Sequence, residues 1–170
     1  MVNTVDINVG EFFKAWIVST YDSDIVKVDY TSNLWAIVLQ YLETIPADYA
    51  LLQDRSEYIS IELYDAHNTP RYHISDETFL RNNTLYRCYI GPRGQAVIRR
   101  WFENQLRNSF KVYMIARYSD GSTERIRHAI GSFLADFNLP ITPKIMNWLS
   151  KIWYRYRVNC PINHKIPIFF

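Results

Sequence analysis

The clearest pattern of apolar and polar positions in the chain extends from Thr142 to Arg157, in the sequence TPKIMNWLSKIWYRYR. Thr142 suits a helix cap, because its hydroxyl can accept from a first-turn amide, and Pro143 suits the first helical position, where no amide donor is needed. Apolar side chains follow at helical spacing on one side: Ile145, Leu149, Ile152, Trp153 and Tyr156. Basic and amide side chains occupy the other side, so the pattern predicts an amphipathic helix with a polar outer face.

A second amphipathic pattern lies directly upstream, in STERIRHAIGSFLADFNLP. Its apolar positions again keep a helical period: Ile126, Ala129, Ile130, Phe133, Leu134 and Phe137. Two short helices joined by a few residues, the second with a basic and amide stripe, are typical of a helix-turn-helix. The connection of residues 138–141 is longer than the tight turn of the strictest examples. The alternative is an ordinary amphipathic pair with a solvated basic face.

The rest of the chain mixes strand and helix periodicities. Strand-like alternation occurs at residues 5–9, 25–28 and 58–64, and helical spacing at residues 11–20 and 33–44. Pro92 begins the longest predicted helix, which extends to Arg117, although residues 110–118 also alternate as a strand would. The exposed side of this helix is predicted to be strongly basic, with Arg93, Arg99, Arg100, Arg107 and Lys111.

These elements predict an α+β fold. Residues 1–90 form a small acidic region of short strands and two helices, and residues 91–157 form a basic three-helix region with the helix-turn-helix-like pair. Residues 158–170 end in Ile-Pro-Ile-Phe-Phe, which is too apolar to remain in water, so we expect this tail to dock on its own subunit or on a neighbour.

Charge is distributed very unevenly along the chain, although its net value is only +2. Residues 1–80 contain four Lys and Arg against thirteen Asp and Glu, a net charge of −9. Residues 81–170 contain fifteen against four, a net charge of +11. Positive charge concentrated in one half favours a polyanionic partner such as nucleic acid. The alternative is that the two halves neutralise each other, within one subunit or head to tail between subunits.

The sequence offers no pattern typical of an enzyme or a metal site. Cys88 and Cys160 lack the spacing of a zinc site, and the four His residues are scattered. The carboxylates at Asp54, Glu57 and Glu62 lack a second ligand cluster, and the last two are an odd number apart, which turns them to opposite sides of a regular strand. We therefore expect no enzymatic activity, no cofactor and no metal.

Targeting signals are also missing from the sequence. The N-terminus lacks the basic region and apolar run of a signal peptide, and no stretch approaches the roughly 20 apolar residues of a membrane span. We expect a protein of the host cytosol or of a virion, with no membrane partner.

Four segments of the chain carry a resemblance to a protein family. They are VDINVGEFFKAWI, IGPRGQAVIRRWFENQLR, ERIRHAIGSFLADFNLPIT and the terminal YRYR. In this order they resemble a loosely defined group of small proteins of phages and integrated mobile elements that end in a helix-turn-helix. The resemblance covers most of residues 5–157. The group carries no assigned biochemical role, so the resemblance implies only a phage or mobile-element setting.

The helix-turn-helix hypothesis assigns roles to eight residues. The second helix would enter the major groove, with Lys144 and Asn147 near its start placed for base edges, since Asn pairs naturally with adenine. Phosphates would be contacted by the remaining polar residues of both helices: Lys151, Tyr154, Arg155, Arg157, Arg125 and Arg127.

Two functions follow from these patterns. The first is a non-enzymatic DNA-binding accessory or regulatory protein of a phage or mobile element. It would act on double-stranded DNA as a homo-oligomer or with other proteins of the same element. The second is a structural protein of a virion or other assembly, such as a connector or ring subunit, in which the acidic half of one copy contacts the basic half of the next.

Overall fold

The computed structural model describes residues 3–29, 31–44, 54–63, 88–119 and 124–159 of the 170-residue chain. It has an α+β fold, as the sequence predicts. Its strands in these ranges are β1 (Asn3–Asn8), β2 (Ile25–Val26), β3 (Leu42–Thr44), β4 (Tyr58–Leu63) and β5 (Cys88–Ile90). Its helices in the same ranges are α1 (Glu11–Tyr21), α2 (Asn33–Gln40), α3 (Pro92–Ser119), α4 (Ile126–Asp136) and α5 (Pro143–Asn159).

The chain divides into two compact units, Met1–Phe102 and Glu103–Phe170, which we call the sheet unit and the helical unit. The division falls inside α3, whereas the sequence analysis placed a boundary ahead of this helix, after residue 90. Of the apolar tail, Val158 and Asn159 form the last turn of α5, and the rest lies outside the described residues.

The core of the sheet unit is a three-stranded sheet with the order β1-β4-β2. β1 and β4 are antiparallel, with Val5 opposite Ile61 and Ile7 opposite Ile59, and β2 is parallel to β4. Because side chains alternate along a strand, these four residues share one face of the sheet, and none is more than 1% exposed. Trp16 of α1 is equally buried.

The end of α2 differs from the prediction. Its start is as expected, since the Ser32 hydroxyl accepts from the Trp35 amide at 3.1 Å. The helical pattern, however, was predicted to continue to residue 44, and the helix ends at Gln40. Residues 42–44 instead form β3, which pairs antiparallel with β5 and places Leu42 opposite Ile90. Pairing with a distant strand here overrides the local helical spacing.

The first turns of α3 belong to the sheet unit and approach it very closely. A Cβ at Gly94 would lie 2.5 Å from side-chain atoms of both Tyr41 and Ile90, so only glycine fits. At the next position, Gln95 Oε1 accepts from the Asn8 amide at 2.7 Å. Its Nε2 donates to one backbone carbonyl of β1 at 2.9 Å and to one of β5 at 3.1 Å. This side chain satisfies backbone groups at the outer edge of β1.

The helical unit is organised around aromatic and aliphatic side chains from α3, α4 and α5. The completely buried members are Leu106, Phe110, Met114, Ala129, Ile130, Phe133, Leu134 and Leu149. The ring of Phe133 has its centroid 5.1 Å from that of Phe110 and 4.9 Å from that of Phe137. Residues 110–118, whose alternation also suited a strand, are helical throughout.

α4 ends in a turn that the sequence analysis did not identify. Asn138 adopts a left-handed conformation with φ of 51°. Its amide donates to the Ala135 carbonyl at 3.0 Å, and the Leu139 amide donates to the Leu134 carbonyl at 2.7 Å. These are the two hydrogen bonds of a Schellman motif, in which an apolar residue after the cap also packs against the helix. Leu139 is accordingly buried, and the chain reverses toward the start of α5.

Candidate nucleic-acid interface

The orientation of α5 is fixed from its first turn onward. Thr142 Oγ1 accepts from the Ile145 amide at 3.3 Å, which confirms the predicted cap. Leu149, Ile152 and Trp153 are buried along one side of the helix. The Trp153 ring stacks on Tyr118 of α3, with ring centroids 5.9 Å apart. The opposite side of α5 therefore faces solvent.

The solvent side of α5 carries five of the eight residues that the sequence predicts to contact DNA. Lys144, Asn147, Lys151, Tyr154 and Arg155 are all exposed. Their spacing of three and four residues puts them on one face, which extends about 16 Å along the helix at 1.5 Å per residue. We call these five residues the α5 polar face. The helix contains no Asp or Glu, so its charge is entirely positive.

Cations of the helical unit fall into two groups. Those of α3 are engaged inside the unit: Arg107 pairs with Glu103 and Arg117 with Glu124. Lys144, Lys151 and Arg155 of the α5 polar face are different, because no described residue forms an ion pair or a hydrogen bond with their charged side-chain groups. Solvated cations that lack internal partners can be transferred to phosphates without first breaking a protein contact.

Three other predicted phosphate ligands lie outside the α5 polar face. Arg125 and Arg127 are exposed at the start of α4. Arg157 is half-buried and lies on the flank of α5 rather than on its outer face. Burial raises the pKa of the Tyr118 phenol, and the positive charge of Arg157 acts in the opposite direction. Arg157 is therefore less accessible to a ligand than Lys151 or Arg155.

Sequence reasoning missed the role of two cations of α3. Arg107 and Lys111 were assigned to the exposed basic side of that helix, but both are half-buried. The Arg107 guanidinium carbon lies 5.3 Å from the ring centroid of Trp148, and Lys111 Nζ lies 5.9 Å from that of Tyr156. The position of Trp148 at the border of the two faces of α5 was the available signal, because a large ring there needs a neighbour.

The acidic residues considered for catalysis are each engaged in local structure. The Asp54 carboxylate accepts from the Ser56 amide at 2.8 Å, and Glu57 accepts from the Asn8 side-chain amide at 3.0 Å. Glu62 lies 3.9 Å from Lys27. Within the described ranges, no three His, Cys, Asp or Glu side chains are grouped closely enough to hold a metal ion.

None of the described helices combines the length and the apolar content that crossing a lipid bilayer requires. Comparisons of the chain with protein-family models, with curated proteins and with solved structures find no match.

Proposed function

We propose that the chain is a non-enzymatic protein that binds double-stranded DNA through the α5 polar face, with α4 and α5 acting as a helix-turn-helix. The observation that supports this best is the combination found on α5: exposed cations whose charged groups have no partner among the described residues, a neighbouring amide and phenol, and no carboxylate on the helix. An exposed, positively charged helix is the element that helix-turn-helix proteins place in the major groove, which supports this proposal.

The residues divide by chemistry. Lys144 and Asn147 lie near the start of α5, the end that enters the groove first in this motif, so they contact base edges. Lys151 and Arg155 contact phosphates, and the exposed Tyr154 hydroxyl donates to a phosphate oxygen. Phosphate contacts from Arg125, Arg127 and Arg157 belong to the same proposal, with Arg157 the weakest because it is half-buried.

The biological setting is proposed from the family resemblance. A small DNA-binding protein of a phage or mobile element acts as an accessory factor or regulator, in the host cytosol or in the particle, and it works with other copies of itself or with other proteins of the element.

The decisive experiment measures the salt dependence of binding to a random duplex. Each phosphate contact contributes about −0.9 to the slope of log K against log salt. The triple variant Lys144→Ala, Lys151→Ala and Arg155→Ala should therefore have a slope about 2.7 units less steep than wild type if all three contact phosphates. A slope shallower by about two units is expected if Lys144 contacts only bases.

A matched control removes the same charge elsewhere. Arg93, Arg99 and Arg100 are exposed cations of α3 in the sheet unit, so replacing all three with Ala changes the net charge equally. We expect this variant to retain the wild-type slope. Equal flattening in both triple variants would mean diffuse attraction rather than a binding face, and an unchanged slope in the α5 variant would eliminate the α5 polar face.

The charges of the compact units favour a second candidate, a ring or connector subunit. The sheet unit contains nine Lys and Arg against thirteen Asp and Glu, a net −4, and the helical unit ten against four, a net +6. Opposite units of successive copies would attract head to tail, a heterologous contact that closes into a ring. Mass measurement without DNA tests it: such an assembly should be large at low salt and dissociate at high salt.

A further inference from the structure

One face of α3 in the helical unit is exposed and carries no charge. It consists of Asn104, Asn108, Val112, Ile115, Ala116 and Ser119, which recur at spacings of three and four residues. Val112 is 66% exposed and Ile115 is 38% exposed. The face extends about 22 Å along the helix. We call it the α3 neutral face.

The absence of charge on this face is unusual within the helical unit. Its neighbours along one flank are Arg107 and Lys111, whose charged groups are held by rings of α5. Arg117 is on another side of the helix and is paired with Glu124. The α3 neutral face is four turns long and has no charged side chain, in a unit of net charge +6. Its apolar groups are exposed to water, and a protein partner would cover them.

We infer that the α3 neutral face binds the same face of a second copy of the chain. In a two-fold contact each residue meets its own counterpart or a close neighbour, so any net charge on the face would repel itself. A different acidic or basic partner would instead select a complementary charge, and this face offers none. The inference does not depend on whether the protein binds DNA.

An antiparallel arrangement makes the face complementary to itself. With the two-fold axis beside Val112, each Val112 packs on its counterpart, and Asn108 lies beside the partner's Ala116, whose small side chain permits close approach. Asn104 then lies beside the partner's Ser119. The Ser119 hydroxyl already donates to a carbonyl of its own helix at 2.9 Å, so its oxygen accepts from the Asn104 amide.

The size of the face limits the strength of the contact. Stable interfaces bury about 1,200–2,000 Å² in total, and one pair of helices in contact over about 22 Å falls toward the lower end of that range or below it. We therefore expect a reversible dimer that dissociates in the micromolar range and that exchanges subunits freely.

The test is sedimentation equilibrium of the full chain without DNA, over a concentration series that spans the micromolar range. Wild type should show a monomer–dimer equilibrium that high salt leaves intact. Val112→Asp should raise the dissociation constant at least about tenfold, because the two carboxylates would face each other across the axis. The matched control is Val158→Asp on α5, because Val158 is the same residue type and is 64% exposed. The Val158→Asp protein should dimerise as wild type does.

A charge-swap experiment guards against loss of folding in a single variant. Val112→Lys alone should also be monomeric, whereas an equimolar mixture of the Val112→Asp and Val112→Lys proteins should recover dimers, since unlike charges then face each other. Recovery in the mixture supports the two-fold contact at Val112. A monomeric wild type, a Val112→Asp protein that dimerises normally, equal loss in Val158→Asp, or an assembly that high salt disperses would overturn it.

Discussion

The sheet unit and the helical unit differ in whether their charged side chains are bound by other side chains of the protein. In the sheet unit, the Arg55 guanidinium donates to Asp6 at 2.8 Å and to the buried Ser60 hydroxyl at 2.6 Å, and Ser60 donates to the same carboxylate at 2.8 Å. In the helical unit, no described residue forms an ion pair or a hydrogen bond with the charged groups of Lys151 and Arg155. Charge that is tied into a network fixes a structure, whereas charge left in water remains available for a ligand.

The same contrast separates cations that lie on neighbouring helices. The sequence predicts that Arg107 is an exposed cation. In the structure its Nε donates to Glu103 at 3.0 Å, and its guanidinium lies over the Trp148 ring. Arg107 and Arg155 are therefore the same residue type in different environments. A count of positive residues therefore overestimates the size of a binding surface, because cations already bound by other side chains of the protein are less available to a ligand.

The largest expected effect tests the aromatic base on which the α5 polar face is presented. Phe133→Ala removes a completely buried ring that contacts Phe110 and Phe137. We expect the free energy of unfolding to fall by about 3–5 kcal/mol, from lost burial and the cavity left behind. Urea denaturation followed by circular dichroism measures it. Phe137→Ala is the control, and its loss should be smaller because that ring is only half-buried. Equal losses would contradict the proposed core.

A paired glycine substitution asks whether the two units tolerate a methyl group equally. Gly94→Ala should destabilise the protein by about 1–3 kcal/mol, since the added Cβ would meet Tyr41 and Ile90 at 2.5 Å. Gly131→Ala should stabilise it by about 1 kcal/mol, because Gly131 is in the middle of α4 and its Cβ would meet nothing within 4 Å. Thermal denaturation gives both values. Shifts of the same sign would show that one of these two environments is wrong.

The smallest effect concerns the ion pair between Arg117 and Glu124. Arg117 donates to Glu124 at 2.7 Å, and this hydrogen bond lowers the pKa of Glu124 from its ordinary value of 4.5. A carboxyl whose pKa is lower in the folded state stabilises above its unfolded pKa, and the gain is lost as pH falls through the folded pKa. Wild type should thus melt slightly above Glu124→Gln at neutral pH. The difference should shrink in acid and vanish once the pH is below the lowered pKa of Glu124 in the folded state. A difference in melting temperature that persists in acid would mean that Glu124 stabilises the fold through packing rather than through its ion pair.

Local patterns predicted the elements whose causes are local. The helix α5 follows from Thr142, Pro143 and an apolar stripe, all within one segment, and the α5 polar face follows from the same period. The early end of α2 could not be predicted, since it depends on pairing between Leu42 and Ile90, which are far apart in sequence. The left-handed Asn138 was also missed, because many Asn residues occupy ordinary turns.

The candidate site shows the same limit. Exposure of Lys144 and Lys151 followed from helical spacing alone. The half-buried position of Arg157 and the ring contacts of Arg107 and Lys111 depend on which neighbour each side chain meets, and a periodicity holds no such information. Trp148, a large ring at the border of the two faces of α5, was the sequence signal that could have indicated the ring contact of Arg107.

The two cation–ring contacts between α3 and α5 have a mechanical consequence. α3 holds α5 at two positions about two turns apart along α5, through Arg107 on Trp148 and Lys111 on Tyr156. Rotation of α5 about its own axis would break both contacts. The outward residues of α5 are consequently aimed before any ligand arrives, and little orientational freedom has to be surrendered on contact.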